Sequence, residues 1–234
     1  MGTHHYERVF DFRCSIGRVD IAMQASLFDD PTGGPRLGTL GGAVRRRILT
    51  AGAWVDVRPA WLTGSERLFA DLVDASRPDA VPWRAERRRM YDRVVDVPRL
   101  VSFYDEDAPL PDPVLADARD ALSAHYLPEL GEPFATAGMC WYRDGSDSVA
   151  WHGDTIGRSA TEDTMVAILS LGSARPLALR PRGGGGEILK FSLGHGDLLV
   201  MGGSCQRTWE HAVPKTTRPT GPRISVQFRT RGVR

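Results

Sequence analysis

From Trp61 to Ser76 the apolar positions Leu62, Leu68, Phe69, Leu72 and Val73 recur at helical spacing, with Ser65 where an N-cap belongs. That pattern predicts a helix. A second is predicted from Pro113 to about Tyr126: Asp112 would cap it, Pro113 suits its first turn, and Leu115, Ala118 and Leu122 would face a core. After Glu132 the texture changes. Short apolar or alternating runs appear at Met139–Arg143, Val149–His152, Met165–Leu171, Ile188–Leu193, Asp197–Met201 and Arg223–Arg229. Gly, Pro and Asp separate them, which predicts many short strands in a sandwich or barrel. The loop Gly183–Gly186 lacks the Gly-Lys-Ser/Thr ending of a phosphate loop and reads as a turn between strands. Helices first and strands after, within one domain, make the class α+β.

Residues 1–60 show no comparable period. They hold a Gly-rich turn region (Gly33, Gly34, Gly38, Gly41, Gly42) and the triplet Arg45-Arg46-Arg47, and read as an N-terminal extension to a domain over 61–234. Between Trp83 and Arg99, six arginines outweigh Glu86, Asp92 and Asp96. Over the whole chain the charge nearly balances, at +1, which neither implies nor excludes a nucleic-acid partner. Lys190 and Lys215 are the only lysines, a bias that GC-rich coding explains as well as function does.

At 234 residues, 41% hydrophobic and 25% charged, the chain can bury a full core without staples. Cys14, Cys140 and Cys205 are too few and too widely spaced for a disulfide framework or a zinc finger, so a reducing, cytoplasmic setting is expected. No apolar run approaches the roughly 20 residues that span a bilayer, so no membrane association is expected. The polar start is no signal peptide, and Tyr6 stands where myristoylation wants Ser or Thr.

Chemistry enters at Trp151-His152-Gly153-Asp154. In a strand, positions i and i+2 share a face, so His152 and Asp154 can present ligand atoms together. His211 ends another candidate strand. Two histidines and a carboxylate on one face would make the facial triad of non-haem Fe(II) oxygenases. His195-Gly196-Asp197 repeats the spacing, but Gly194 and Gly196 make it a turn before a core strand. His4, His5 and His125 lack a carboxylate at suitable spacing and read as surface residues. In Arg223–Arg229, alternation puts Arg223, Ser225, Gln227 and Arg229 on one face and Ile224, Val226 and Phe228 on the other. Such a polar face can simply meet water; it can also hold a carboxylate, whose shape the guanidinium fork matches.

The order Tyr142, Asp144-Gly145, His152-x-Asp154, His195-Gly196-Asp197-Leu198-Leu199, His211 and Arg223-x5-Arg229 resembles the AlkB family of Fe(II)/2-oxoglutarate dioxygenases, from about Pro98 to Arg229. The resemblance implies a double-stranded β-helix (jelly-roll) core, about 133–230, with flanking helices and an N-terminal nucleotide-recognition lid, about 78–100. It implies Fe(II), 2-oxoglutarate and O2 as cofactors and alkylated DNA or RNA as partner, with no obligate protein partner. The implied reaction is oxidative demethylation of bases such as 1-methyladenine and 3-methylcytosine, yielding succinate, CO2 and formaldehyde. His152, Asp154 and His211 match the iron ligands. Arg223 matches the arginine on the distal carboxylate of 2-oxoglutarate, Arg229 the second arginine, and Tyr142 the cosubstrate tyrosine. Ser225, also on the cosubstrate strand, replaces a frequent Asn, as does Cys140; fewer amide hydrogen bonds follow. Ile156 stands where relatives often carry an acidic base reader, which affects base preference and not the oxidation.

Trp83, Tyr91 and the arginines Arg84, Arg87, Arg88 and Arg89 are candidates for base stacking and phosphate contact, the alternative being a solvated, charged helix face. Trp141 and Trp151 should point opposite to Tyr142 and His152. Two other readings stand beside the demethylase: a protein or small-molecule hydroxylase of the same chemistry, and a non-catalytic nucleic-acid-binding module.

Overall fold

The computed structural model describes residues 34–90 and 93–233, with backbone alone at 88–90 and 93–95. Strands β1 (Arg36–Leu37), β2 (Arg45–Ile48), β3 (Ala53–Arg58) and β4 (Leu62–Thr63) precede helix α1 (Glu66–Val73). A long hairpin follows, β5 (Arg84–Met90) and β6 (Arg93–Tyr104), and then helix α2 (Pro113–Leu130). The rest is mostly strand: β7 (Thr136–Tyr142), β8 (Val149–His152), β9 (Val166–Gly172), β10 (Arg175–Pro181), β11 (Leu189–Leu193) and β12 (Leu198–Gly203), the single turn α3 (Cys205–Thr208), β13 (Trp209–Val213) and β14 (Arg223–Arg229).

An eight-stranded antiparallel sheet runs β2-β3-β12-β9-β14-β7-β6-β5, and a four-stranded one runs β11-β10-β13-β8. Alternation along the central strands divides their side chains between two cores. Ala167, Leu169, Leu171, Leu198, Val200, Ile224, Val226 and Phe228 pack outward against Leu68 and Leu72 of α1 and Leu115, Ala118 and Leu122 of α2. Val166, Ile168, Leu199 and Met201 pack inward against Leu177, Leu179, Leu189 and Phe191 of the smaller sheet. Strands buried on both faces lose the polar alternation of a surface strand, which is why β9 and β12 read as continuous apolar runs.

Helix α2 begins as expected, its Val114 N–H donating to Asp112 Oδ1 at 2.9 Å, but it continues through Pro128 and ends at left-handed Gly131 (φ 79°). Helix α1 is shorter than its periodicity suggests. Ser65 precedes it without capping it, because its hydroxyl lies 2.6 Å from His195 Nε2 instead. The large sheet crosses the division drawn at residue 60: β3 is an inner strand between β2 and β12, and its buried Asp56 accepts from Arg46 at 2.8 Å and from the Tyr126 hydroxyl at 3.0 Å. The basic stretch from Arg84 to Arg99 is a hairpin on the sheet edge, not a charged helix face.

Candidate metal and cosubstrate centre

Between the two sheets lies a cavity of about 550 Å³, lined by β6, β7, β8, β13, β14 and the segment after β8. Register assembles its centre. His211 of β13 pairs directly with His152 of β8, bringing the ring centroids to 4.2 Å. Asp154 follows two residues later, with its Oδ1 3.6 Å from His152 Nε2. One ligand atom from each of His152, Asp154 and His211 falls within 4.8 Å of the others. His152 Nδ1 is 2.9 Å from the Ala150 carbonyl, so that nitrogen donates and Nε2 is left as an acceptor facing the cluster.

Electrostatics favour ligation. Burial pushes the His211 imidazole down to about 3 and also lowers His152, so both are neutral in the folded protein near pH 7. Burial alone would raise Asp154, but the Arg229 guanidinium, charged and hydrogen-bonded to it, outweighs burial and holds the carboxyl well below the usual range. The donor set is thus two neutral nitrogens and one carboxylate, which suits a divalent iron ion.

Three contacts fix Asp154 that the spacing of motifs does not disclose. Its Oδ2 accepts from Arg229 Nε at 2.7 Å, its N–H donates to Gln206 Oε1 at 3.0 Å, and its carbonyl accepts from the Ser159 hydroxyl. Gln206 is 1% exposed in α3, and its amide otherwise meets only Met201 Sδ, at 3.9 Å. A Cβ at Gly153 would run into the Gln206 carbonyl oxygen, so only glycine fits between the two ligands.

The cosubstrate candidates lie on adjoining strands. Arg223 pairs with Tyr142 across β14 and β7, its guanidinium carbon 5.5 Å from the ring centroid. Arg223 is 1% exposed; its Nε donates to Ser170 Oγ at 2.9 Å, while its buried Nη1 has no hydrogen-bond partner among the described residues. A buried cation with an unfilled donor at a cavity wall fits one carboxylate of a dicarboxylic acid. Ser225 Oγ accepts from Gln227 Nε2 at 2.7 Å, and Cys140 Sγ lies 3.8 Å from Gln227 Oε1, so this local network is closed by groups other than an asparagine amide.

The substrate candidates fare differently. Trp83 sits in the outer core, tilted against Trp141 with ring centroids 5.5 Å apart, and its indole N–H donates to the Leu72 carbonyl at 2.9 Å. It is not a base platform, because its ring and N–H are already engaged away from the cavity. Arg87 is exposed at the hairpin and paired with Asp96 at 2.8 Å. Arg88 and Arg89 lie in β5 with backbone alone described, and Tyr91 falls outside the described residues. Asp96 to Arg99 line the cavity, including the buried Arg99, which the resemblance places in the stretch leading from lid to core without giving it a role. His195 is no ligand: its Nδ1 accepts from the Gly172 N–H at 2.8 Å, tying the turn to β9.

A two-sheet barrel with two histidines and a carboxylate at its centre and a buried arginine on its wall defines a non-haem iron, 2-oxo-acid-dependent oxygenase site. Residues 101–229 match the 2OG-Fe(II) oxygenase superfamily, and the chain belongs to that superfamily. With the family come Fe(II), 2-oxoglutarate and O2 and the class of dioxygenase. Several of its relatives carry AlkB names. The chain is 30% identical over 207 residues to alpha-ketoglutarate-dependent dioxygenase alkB homolog 3 of Homo sapiens, covering 79% of this chain and 66% of that protein. It is 32% identical to the Mus musculus counterpart, over 72% of this chain and 67% of that one. DNA oxidative demethylase ALKBH2 of Arabidopsis thaliana is 31% identical over 47% of this chain and 42% of its own length. The chain therefore spans about two thirds of the length of its alkB homolog 3 relatives.

Solved structures agree on the fold. That of OsALKBH1 superimposes with a TM-score of 0.51 at 14% identity, over 80% of this chain and all of that one. A 2OG-Fe(II) oxygenase family oxidoreductase from Burkholderia pseudomallei gives 0.53 at 13% identity, over 76% and 86%. The jelly-roll core expected from the motifs is thus the observed one.

Proposed function

We propose that the protein removes N-alkyl groups oxidatively from bases in DNA or RNA, using 2-oxoglutarate as cosubstrate. One observation carries this reading: a single cavity joins the His152, Asp154 and His211 cluster to the unpartnered Nη1 of Arg223. The nucleic-acid part draws support from the names of the alkB homolog 3 and ALKBH2 relatives.

His152 Nε2, His211 and Asp154, whose ligand atoms lie together on the cavity wall, would hold Fe(II), which would supply the site's affinity for cosubstrate and oxygen. When bound, Fe(II) with 2-oxoglutarate and O2 supplies oxidation of the alkyl carbon, coupled to decarboxylation to succinate and CO2, with a hydroxylated methyl lost as formaldehyde. Arg223 Nη1 receives the far carboxylate of 2-oxoglutarate, with Tyr142 beside it, and the charge match orients the cosubstrate before reaction. Arg229 keeps Asp154 ionised and aligned, and Ser225 holds Gln227 on the same wall. The apolar lining from Val166, Ile168, Leu177 and Val213 excludes water from the reacting atoms.

Hairpin β5–β6 acts as the lid. Its root, Asp96 to Arg99, forms part of the cavity wall, and Arg87, Arg88, Arg89 and Tyr91 are assigned to the nucleic-acid strand beyond it. A base within a duplex must be flipped to enter, at a cost of a few kcal/mol. The test incubates the protein with Fe(II), 2-oxoglutarate, O2 and singly methylated oligonucleotides. Succinate should form in step with a mass loss of one methylene unit from the oligonucleotide. Succinate formation stimulated only by a protein or small molecule would contradict the nucleic-acid assignment.

A further inference from the structure

The mouth of the cavity has an unusual charge balance. Among the described residues its lining includes two carboxylates, Asp96 and Asp154. Asp154 is committed to Arg229 and the imidazoles, and Asp96 is held by Arg87 at 2.8 Å in an exposed pair. Ile156, 63% exposed, lines the cavity two residues beyond Asp154 and brings an apolar side chain, not a counter-charge. Against these stand three lining guanidiniums: Arg99, Arg223 and Arg229.

Arg99 is the one whose partners leave it available. It is 9% exposed, lies beside Tyr142 and within side-chain hydrogen-bond reach of the Cys140 thiol, and makes a long contact from Nη1 to the Ser148 carbonyl, at 3.5 Å, with no carboxylate of the cavity wall paired to it. Its buried Nε has no hydrogen-bond partner among the described residues. Glu86 lies close enough to stabilise its charge but is not part of the cavity wall and has a contact of its own. Loading Fe(II) and the 2-oxoglutarate dianion adds no net charge, so the mouth stays positive with an unfilled donor on its wall.

Alkylated bases differ in how they meet such a wall. 1-Methyladenine and 3-methylcytosine are cations near neutral pH and carry an amino donor at C6 and C4 respectively, 3-methylcytosine keeping its C2 carbonyl as well. 3-Methylthymine and 1-methylguanine are neutral and carry a carbonyl oxygen at C4 and C6. A cation would enter a positive, partly desolvated cavity without a counter-charge, whereas a carbonyl accepts from a guanidinium. We infer that this site takes neutral N-methylated bases, with a carbonyl at C4 of a pyrimidine or C6 of a purine, in preference to cationic ones, with Arg99 as the donor that reads that carbonyl. The inference rests on the proposed function and narrows the base set that the family resemblance implied.

The test compares kcat/KM on four otherwise identical single-stranded oligonucleotides carrying 3-methylthymine, 1-methylguanine, 1-methyladenine or 3-methylcytosine. The neutral bases should be preferred by at least about tenfold. Ile156→Asp, a change at an exposed rim position, should narrow or reverse that ratio by raising turnover of the cationic pair. Arg99→Met should lower turnover of the neutral pair more than that of the cationic pair, a difference that loss of folding alone would not produce. A preference for the cationic bases in the wild type, or an unchanged ratio in both variants, overturns the inference and leaves the nucleic-acid function standing. If none of the four is oxidised while 2-oxoglutarate is still consumed, the proposed function falls and the inference with it.

Discussion

Replacing Arg223 by methionine should weaken 2-oxoglutarate binding and, in the same protein, stabilise the metal-free fold. In that fold Arg223 is a cation at 1% exposure with no ion-pair partner among the described residues, Asp197 acting on it only weakly and from a distance. Burial lowers its pKa, and Arg175 repels it. Its one side-chain hydrogen bond goes to Ser170, whose hydroxyl also reaches the Leu193 carbonyl at 3.4 Å and so keeps a partner after the change. Replacing a buried, poorly compensated charge by an apolar chain of similar volume should add about 1–4 kcal/mol to folding stability. With 2-oxoglutarate present the sign reverses. Removing one partner of a buried charged pair costs about 2–5 kcal/mol, which is roughly 30-fold to several thousand-fold in affinity. Arg223→Lys should fall between, keeping charge but losing the fork and the Ser170 bond. Calorimetric titration of 2-oxoglutarate under anaerobic conditions with Mn(II) present gives the affinity, and thermal melting of metal-free protein gives the stability. Wild-type affinity in Arg223→Met would refute the carboxylate role. A loss of stability comparable to an ordinary core truncation would refute the view of Arg223 as an uncompensated charge.

Three further outcomes are expected. Gln206→Leu should weaken Mn(II) binding about 10- to 100-fold, measured by electron paramagnetic resonance, because it frees the Asp154 backbone that Gln206 Oε1 holds; unchanged affinity would make Gln206 a packing residue only. Burial depresses His152, His195 and His211 below their ordinary 6.5, so the unfolded chain takes up more protons than the fold as pH falls below that value. Stability should therefore be full above about pH 6.5 and lost progressively towards pH 5, with saturating Mn(II) opposing the loss; a denaturation midpoint that is flat over this range would contradict it. Neutralising Arg87, Arg88 and Arg89 together should reduce the salt dependence of oligonucleotide binding, by about 0.7 in slope for each phosphate of a single strand that they would otherwise neutralise, with 2-oxoglutarate affinity unchanged; an unaltered slope would remove the hairpin arginines from the interface.

The chemistry of the centre was more legible than its scaffold. Strands β8 and β14 have the bounds that their patterns predict, and both carry site residues. A strand that turns one face into a polar cavity keeps a strict alternation that sequence displays. Strand β10, with two arginines and two prolines in seven residues, is missing from the predicted strand runs, although Arg175 is buried and its nitrogens donate to the carbonyls of Asp144, Asp147 and Pro214. Strand β3 hides its place because Asp56 interrupts an otherwise apolar run, and only Arg46 and Tyr126, far away in sequence or on another element, explain a buried carboxylate there. Gln206 acts through a backbone N–H, a role that leaves no spacing pattern. Trp83 misleads because an aromatic in a basic stretch resembles a stacking platform until its indole N–H is found on the Leu72 carbonyl.

The most direct test is a crystal structure grown anaerobically with Mn(II) and 2-oxoglutarate. One metal ion should be bound by His152, Asp154 and His211, and the distal carboxylate should lie within hydrogen-bond distance of Arg223 Nη1. A metal held by other residues, or a distal carboxylate paired with Arg99 while Arg223 stays unpartnered, would contradict the account.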